Sequence, residues 1–246
     1  MNAIVATFLR ELKAYFFSPL AYVVLFFFLV VNGAVFALIV NYLNNPLAEA
    51  GRPFDIFFGG SIFFWLILLF ATPVLTMRLI AEERKSGSIE VLMTAPVTED
   101  QVVIGKYLAA FAFYCFLWLP TVLYAVIVDR ASDIDWGTIA SGYLGIALIG
   151  GFFLALGVLG SAMSRNQIVA AIISFALSLL VFVLVFLPGL VNDPGLQQLF
   201  SYVSVVEHMD EFARGIVDTR RLVFYLSTTV FLLYLASRTL EEKKWR

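Results

Sequence analysis

The chain alternates between long apolar runs and short polar segments. Six runs carry no charged residue: Leu20–Tyr42, Ile56–Met77, Tyr107–Val128, Thr138–Ser164, Ile168–Pro188 and Leu222–Ser237. Crossing the hydrocarbon of a bilayer takes about 20 mostly apolar helical residues. The first five runs meet that length. The sixth has 16 residues between Arg221 and Arg238, roughly 24 Å at about 1.5 Å per residue, and its flanking arginines reach the interface by snorkelling. Ser18-Pro19 is a start signal for the first helix, and Pro188-Gly189 closes the fifth.

Ahead of the first span, NAIVATFLRELKAYFF is patterned differently. At about 100° per residue, Ile4, Val5, Phe8, Leu9, Leu12, Tyr15 and Phe16 fall within an arc of about 140°, and Thr7, Arg10, Lys13 and Ala14 fall opposite. This predicts an amphipathic helix in the membrane interface. An extended first span is the competing reading, and Arg10, Glu11 and Lys13 weigh against it.

Composition fixes the solvent. Of 246 residues 61% are hydrophobic and 14% charged, with mean hydropathy +0.93; soluble domains carry about 25% charged residues. A fold of this length cannot hide that much apolar surface from water. The expected class is therefore all-α, a polytopic membrane protein of six transmembrane helices. Net charge of -2 gives no argument for nucleic acid. The one cysteine, Cys115, excludes an internal disulfide and reads as a packed small hydrophobe. The first apolar run is too long for a signal-peptide core, so no cleavable leader is expected.

Six spans place both termini on one side. If that side is cytoplasmic, its segments hold eleven of the Lys and Arg residues, against five opposite (Arg52, Arg130, Arg214, Arg220 and Arg221). This positive-inside bias makes 78–106 cytoplasmic and 189–221 the longest external loop.

The drawn spans hold no Asp, Glu, Lys, Arg or His, whereas ion-coupled carriers place titratable groups at membrane depth. The only histidine, His208, lies among Glu207, Asp210 and Glu211 in the external loop. A metal set there is the sharper reading and a solvated helix face the blander, better supported one; no metal site is expected. Gly105-Lys106 resembles the end of a Walker loop, but Asp100 replaces its first glycine and Tyr107 its Ser or Thr. Nucleotide chemistry would have to come from another chain. In the fourth span Ala147, Gly151 and Ala155 recur every four residues, a small-residue stripe for close helix packing, extended by Gly157 and Ser161.

The charged island between the second and third runs is itself patterned. Ser86-Gly87-Ser88 breaks the chain, Ile89 to Thr94 fits one or two helical turns, and Thr98 with Gln101 matches a capping box for the third span. Ile89, Leu92 and Met93 share one face of the short helix, with Glu90 elsewhere. From the residues alone a protein-docking face and a solvated connector are evenly matched.

The stretch MRLIAEERKSGSIEVLMTAPVTEDQVVIGKY resembles the cytoplasmic segment of type-2 ABC-transporter permeases, on Arg78, Ala81, Glu82, Glu83, Arg84, Gly87, Ser88, Ile89, Glu90, Leu92 and Pro96, followed by Gly105-Lys106. Ser88 and Ile89 replace the commoner Thr and Leu. The C-terminal stretch FARGIVDTRRLVFYLSTTVFLLYLASRTLEEKKWR is similar to the branch containing GldF, of bacterial gliding motility, and its NosY-like relatives. The resemblance implies an interfacial elbow helix over 1–17, a cytoplasmic coupling helix within 81–97, and one permease domain over the whole chain. It implies a multi-pass inner-membrane protein with cytoplasmic termini that is not itself an enzyme. Partners would be ABC ATPase subunits carrying ATP and Mg, a second copy or a homologous (GldG-like) permease, membrane lipids, and a periplasmic partner on the external loop. Ile89, Leu92 and Met93 would enter a groove on the ATPase, and Glu82, Glu83, Arg84 and Glu90 would bracket that contact or hold the hinge between Gly87 and Pro96. The expected activity is outward transport driven by that ATPase. The alternative is a membrane scaffold anchoring an ATPase for envelope assembly.

Overall fold

The computed structural model describes residues 3–45, 51–87, 97–189 and 193–242, and among these the regular structure is entirely helical. Six helical segments have the length and composition to cross a membrane: Ala21–Leu43, Ile62–Ser86, Glu99–Asp129, Trp136–Met163, Gln167–Leu187 and Thr219–Glu242. The all-α polytopic class read from the apolar runs is the class that forms.

The chain opens with α1 (Ala3–Phe16) and turns at Ser18 into α2 (Pro19–Leu43). Ser18 is extended and Pro19 occupies the first turn, where its missing N–H costs nothing. A short helix α3 (Pro53–Asp55) continues as a π turn, Ile56–Gly60, before α4 (Ile62–Thr76). The second span therefore starts at Ile62 rather than at 56. Burial of Phe57 and Phe58 turns the backbone there, and the kink falls at Gly59, whose φ of 146° needs a glycine. Ser61 then caps α4 by accepting from the Phe63 N–H at 3.2 Å, and Trp65 Nε1 donates to the Gly59 carbonyl at 2.9 Å.

Past α5 (Ala81–Ser86), Gly87 ends the helix in the left-handed region, φ 73°. The third span begins earlier than drawn: α6 (Glu99–Trp118) starts at the reciprocal Thr98–Gln101 capping box the sequence predicts, at 3.3 and 3.4 Å. Pro120 interrupts it with a 3-10 turn before α7 (Val122–Asp129). α8 (Trp136–Met163) is buried on nearly every side and forms the axis of the bundle. Around it stand α4, α6, α9 (Gln167–Val183) and α12 (Thr219–Glu242). The outer helices bury one face and leave side chains such as Phe26, Leu180 and Phe231 pointing away; lipid accepts such a surface and water does not.

The α8 glycines make room for large side chains. A Cβ at Gly150 would sit 2.3 Å from the Tyr114 ring, at Gly142 2.4 Å from Phe58, and at Gly145 2.8 Å from Phe212. Gly160 is the one that meets a neighbouring backbone, at Ser174 of α9. In the predicted stripe Gly151 and Ala155 are buried, Gly151 beneath Tyr107 and Phe111, while Ala147 is half-buried beside a groove between α6, α8 and α12.

The described part of the long loop between α9 and α12 is structured. α10 (Pro194–Val203) and α11 (Val205–Ala213) meet at Ser204, and α11 lies back on α8 and the π turn, with Phe212 over Gly145 and Met209 against Gly59. The solvated helix face expected for His208 is incorrect: His208 is fully buried, because α11 turns that face into the bundle.

Candidate functional site

The residues flanking the predicted coupling segment converge at one end of the bundle. α4 ends at Thr76, and residues 77–80 turn the chain into α5. Ser161 of α8 holds that turn: its hydroxyl accepts from the N–H groups of Ile80 and Ala81 and donates to the Met77 carbonyl, each at 3.1 Å. One donor and two acceptor sites are all a serine has. Arg84 adds a bond of 2.8 Å to the Ala162 carbonyl in the last turn of α8, where a cation meets the negative end of the helix dipole. Thus α5 is bound to the C-terminal end of α8.

A charge cluster binds α5 to α1 and α6. Lys106 Nζ lies 2.9 Å from both Glu11 Oε1 and Glu83 Oε1, and Arg10 Nη2 lies 2.7 and 2.8 Å from the same two oxygens. The Lys106 side chain is 1% exposed and the carboxylates 15% and 18%. Two cations and two carboxylates leave the group neutral, which is what makes its burial tolerable. Burial pushes Glu11 upward, but the charge and hydrogen bond of Lys106, with those of Arg10, outweigh it, so Glu11 lies below the ordinary carboxylate value.

Gly105 explains how α1 comes so close. A Cβ there would lie 2.8 Å from Thr7 Cβ and 3.0 Å from the Ile4 carbonyl. Thr7, assigned by the helical wheel to the polar face, is therefore buried against α6, while Val5 and Leu9 of the apolar arc remain exposed. The contact with α6 runs through the smallest side chains, where backbones approach, while Phe8, Leu12, Tyr15 and Phe16 of the apolar arc pack on the core. At the far end of α1, Tyr15 donates to the Leu75 carbonyl at 2.5 Å. Arg78 stacks on the Tyr15 ring, 4.8 Å from its centroid, and donates to Ser18 Oγ at 3.3 Å.

Of the predicted site residues, Glu83 and Arg84 belong to this assembly, Glu82 faces outward, and Gly87 ends α5. Ile89, Glu90, Leu92, Met93 and Pro96 lie outside the described residues. Arg10, Glu11, Lys106 and Ser161 were not singled out by pattern as members of the site. The one available signal was Gly105-Lys106, a glycine and a cation placed together just before an apolar run.

At the opposite end, His208 Nδ1 lies 2.8 Å from the Tyr225 hydroxyl and Nε2 3.1 Å from the Tyr202 carbonyl. A carbonyl only accepts, so Nε2 carries the proton and Nδ1 accepts from Tyr225. Burial, with Arg221 nearby, pushes His208 down to about 4. Arg221 holds Glu211 through two bonds, of 2.9 and 3.0 Å, and these draw Glu211 below its usual range. Both ring nitrogens of His208 are thus committed to protein partners, which argues against the imagined metal set.

A bundle of six apolar helices, with an ion-paired clasp joining α1, α5 and α6 at one end, defines a polytopic membrane protein. The ABC-2 transporter family profile matches residues 5–243, and the chain belongs to the ABC-2 family of transporter proteins. No curated protein matches the chain. It is thus a membrane permease component of an ABC transporter, working with an ABC ATPase on a separate subunit.

Proposed function

We propose that this chain is an exporter subunit of the bacterial inner membrane, with cytoplasmic termini, related to the GldF and NosY-like branch. It pairs with a second copy or a GldG-like companion above two ATPase subunits that bind ATP and Mg. Residues 81–97 receive the ATPase stroke, with Ile89, Leu92 and Met93 as the apolar docking face. The observation carrying this reading is the shared Lys106 pairing of Glu83 and Glu11, which fastens the base of that segment to α1 and α6. A docking segment on a loose connector would dissipate the stroke; on a clasped one it moves the spans. The eleven-to-five basic bias supports the orientation.

The test is reconstitution with the co-purifying ATPase. Leu92→Asp should leave the protein in the membrane and abolish its stimulation of ATP hydrolysis, and Glu83→Ala should lower transport per ATP consumed. Wild-type behaviour of both variants refutes coupling here, and stimulated hydrolysis without movement of any lipid or solute favours the scaffold.

A further inference from the structure

Arg84 and Arg165 come together at the end of the bundle that carries α1. Arg84 Nη1 donates to the Ala162 carbonyl at 2.8 Å. Arg165 follows in the link between α8 and α9, residues 164–166, close enough to Arg84 for the two charges to repel. Among the described residues neither arginine is ion-paired, and Glu82, the exposed carboxylate of α5, pairs with neither. The bond from Arg84 to Ala162 leaves most of its N–H donors open. So short a link cannot carry Arg165 more than about 10 Å from the ends of two membrane helices. Met163, Ile168 and Ile172 beside it are exposed apolar side chains. The pair therefore stands at headgroup level, next to hydrocarbon. Asn166 caps α9 there, accepting from the Ile168 N–H at 2.8 Å, and the positive end of that helix adds to the field.

We propose that Arg84 and Arg165 clamp the phosphate of one anionic phospholipid in the leaflet on the α1 side. A guanidinium grips phosphate oxygens through paired N–H bonds, and an anion between two cations replaces their repulsion with attraction. An amine headgroup brings an ammonium toward two cations and is disfavoured; a glycerol headgroup brings only the negative charge. Carboxylates of a docked protein would have to reach the bilayer surface between two spans, which favours the lipid as occupant. Held in this way, α5 is fastened to the membrane surface as well as to α8.

The test is native mass spectrometry of the full chain taken from nanodiscs of equal phosphatidylglycerol and phosphatidylethanolamine. Wild type should retain one phosphatidylglycerol per chain in preference to phosphatidylethanolamine. Arg165→Gln, at an exposed position of the link, should lower that retention about fivefold, the worth of one arginine at an anionic membrane surface. Arg165→Lys should recover part of it, and Arg130→Gln, an exposed arginine at the opposite end, should change nothing. No headgroup preference in wild type, unchanged retention in Arg165→Gln, or an equal loss in Arg130→Gln overturns the proposal. So does displacement of the lipid by millimolar inorganic phosphate, which would make this a site for a soluble anion. Loss of the co-purifying ATPase from Arg165→Gln with lipid retention unchanged would make it a protein contact and overturns the proposal as well. The lipid readouts involve no ATP turnover, so failure here leaves the coupling reading standing, and the reverse.

Discussion

Lys106→Met is the most informative single change at the clasp. It keeps the side-chain stem and removes the charge, leaving Glu11 and Glu83 to share Arg10 alone. Removing one partner from a fully buried ion pair costs about 3–5 kcal/mol. Here Arg10 still touches both carboxylates, at 2.7 and 2.8 Å, and both are slightly exposed, so roughly half of that, about 2 kcal/mol, is expected. For a chain of this size that is a fall in Tm of about 4–8 °C, read by fluorescence-detected thermal unfolding in detergent. The stronger claim concerns neutrality. Glu83→Gln removes the extra negative charge that Lys106→Met leaves behind, so the double variant should be more stable than Lys106→Met alone, with a coupling of at least about 1 kcal/mol. Simple addition of the two losses, or an unchanged Tm in Lys106→Met, would refute the idea that Lys106 holds the two carboxylates together.

Ser161→Ala leaves the Ile80 and Ala81 N–H groups without their acceptor; at about 1–3 kcal/mol for each buried unpaired donor, faster tryptic cleavage at Arg84 and Lys85 should follow. Gly105→Val drives a side chain into Thr7 and the Ile4 carbonyl and should lift α1 away, read as cleavage at Arg10 and Lys13 with the spans intact. For His208 the folded value near 4 lies below the ordinary 6.5, so the docked helix pair stays neutral while the undocked state takes up a proton. Docking should be complete above about pH 6.5 and weaken as pH falls toward 4, seen as a lower protection factor (deuterium exchange relative to the intrinsic rate at each pH) over 205–213 at pH 5 than at pH 7; His208→Gln should remove that dependence.

What was legible in the sequence was local. The apolar runs identify the spans because one bilayer thickness sets their length, and the Thr98–Gln101 box is written in four consecutive residues. Gly87 ends α5 where the Ser-Gly-Ser break lies. The second span's start was misplaced because Phe57 and Phe58 are as apolar as any membrane residue, and the backbone turn at Gly59 follows from where those rings are buried. His208 was misread for the same reason: its neighbours in sequence are acidic, but those in space are Tyr225 and Tyr202. The clasp joins positions 10, 11, 83 and 106, a pairing no periodicity encodes.

Once these contacts are in place, force has few routes. α1 is fixed to α4 by Tyr15, to α5 by Arg10, and to α6 by Glu11 and the Gly105 contact. α5 is fixed to α8 by Ser161 and Arg84. The helices that flank residues 88–96 therefore cannot separate without breaking these ion pairs, and under the proposed coupling a push there would move α5 and α6 together. Directly behind them stands α4, where Pro73 lies inside the helix and denies the Leu69 carbonyl its usual donor. Bending there costs less than opening the clasp, so the stroke is expected to be absorbed at Pro73. Pro73→Ala restores the donor and should raise Tm while slowing ATP-driven turnover in the reconstituted complex. Faster or unchanged turnover in a more stable Pro73→Ala protein would place the bend elsewhere.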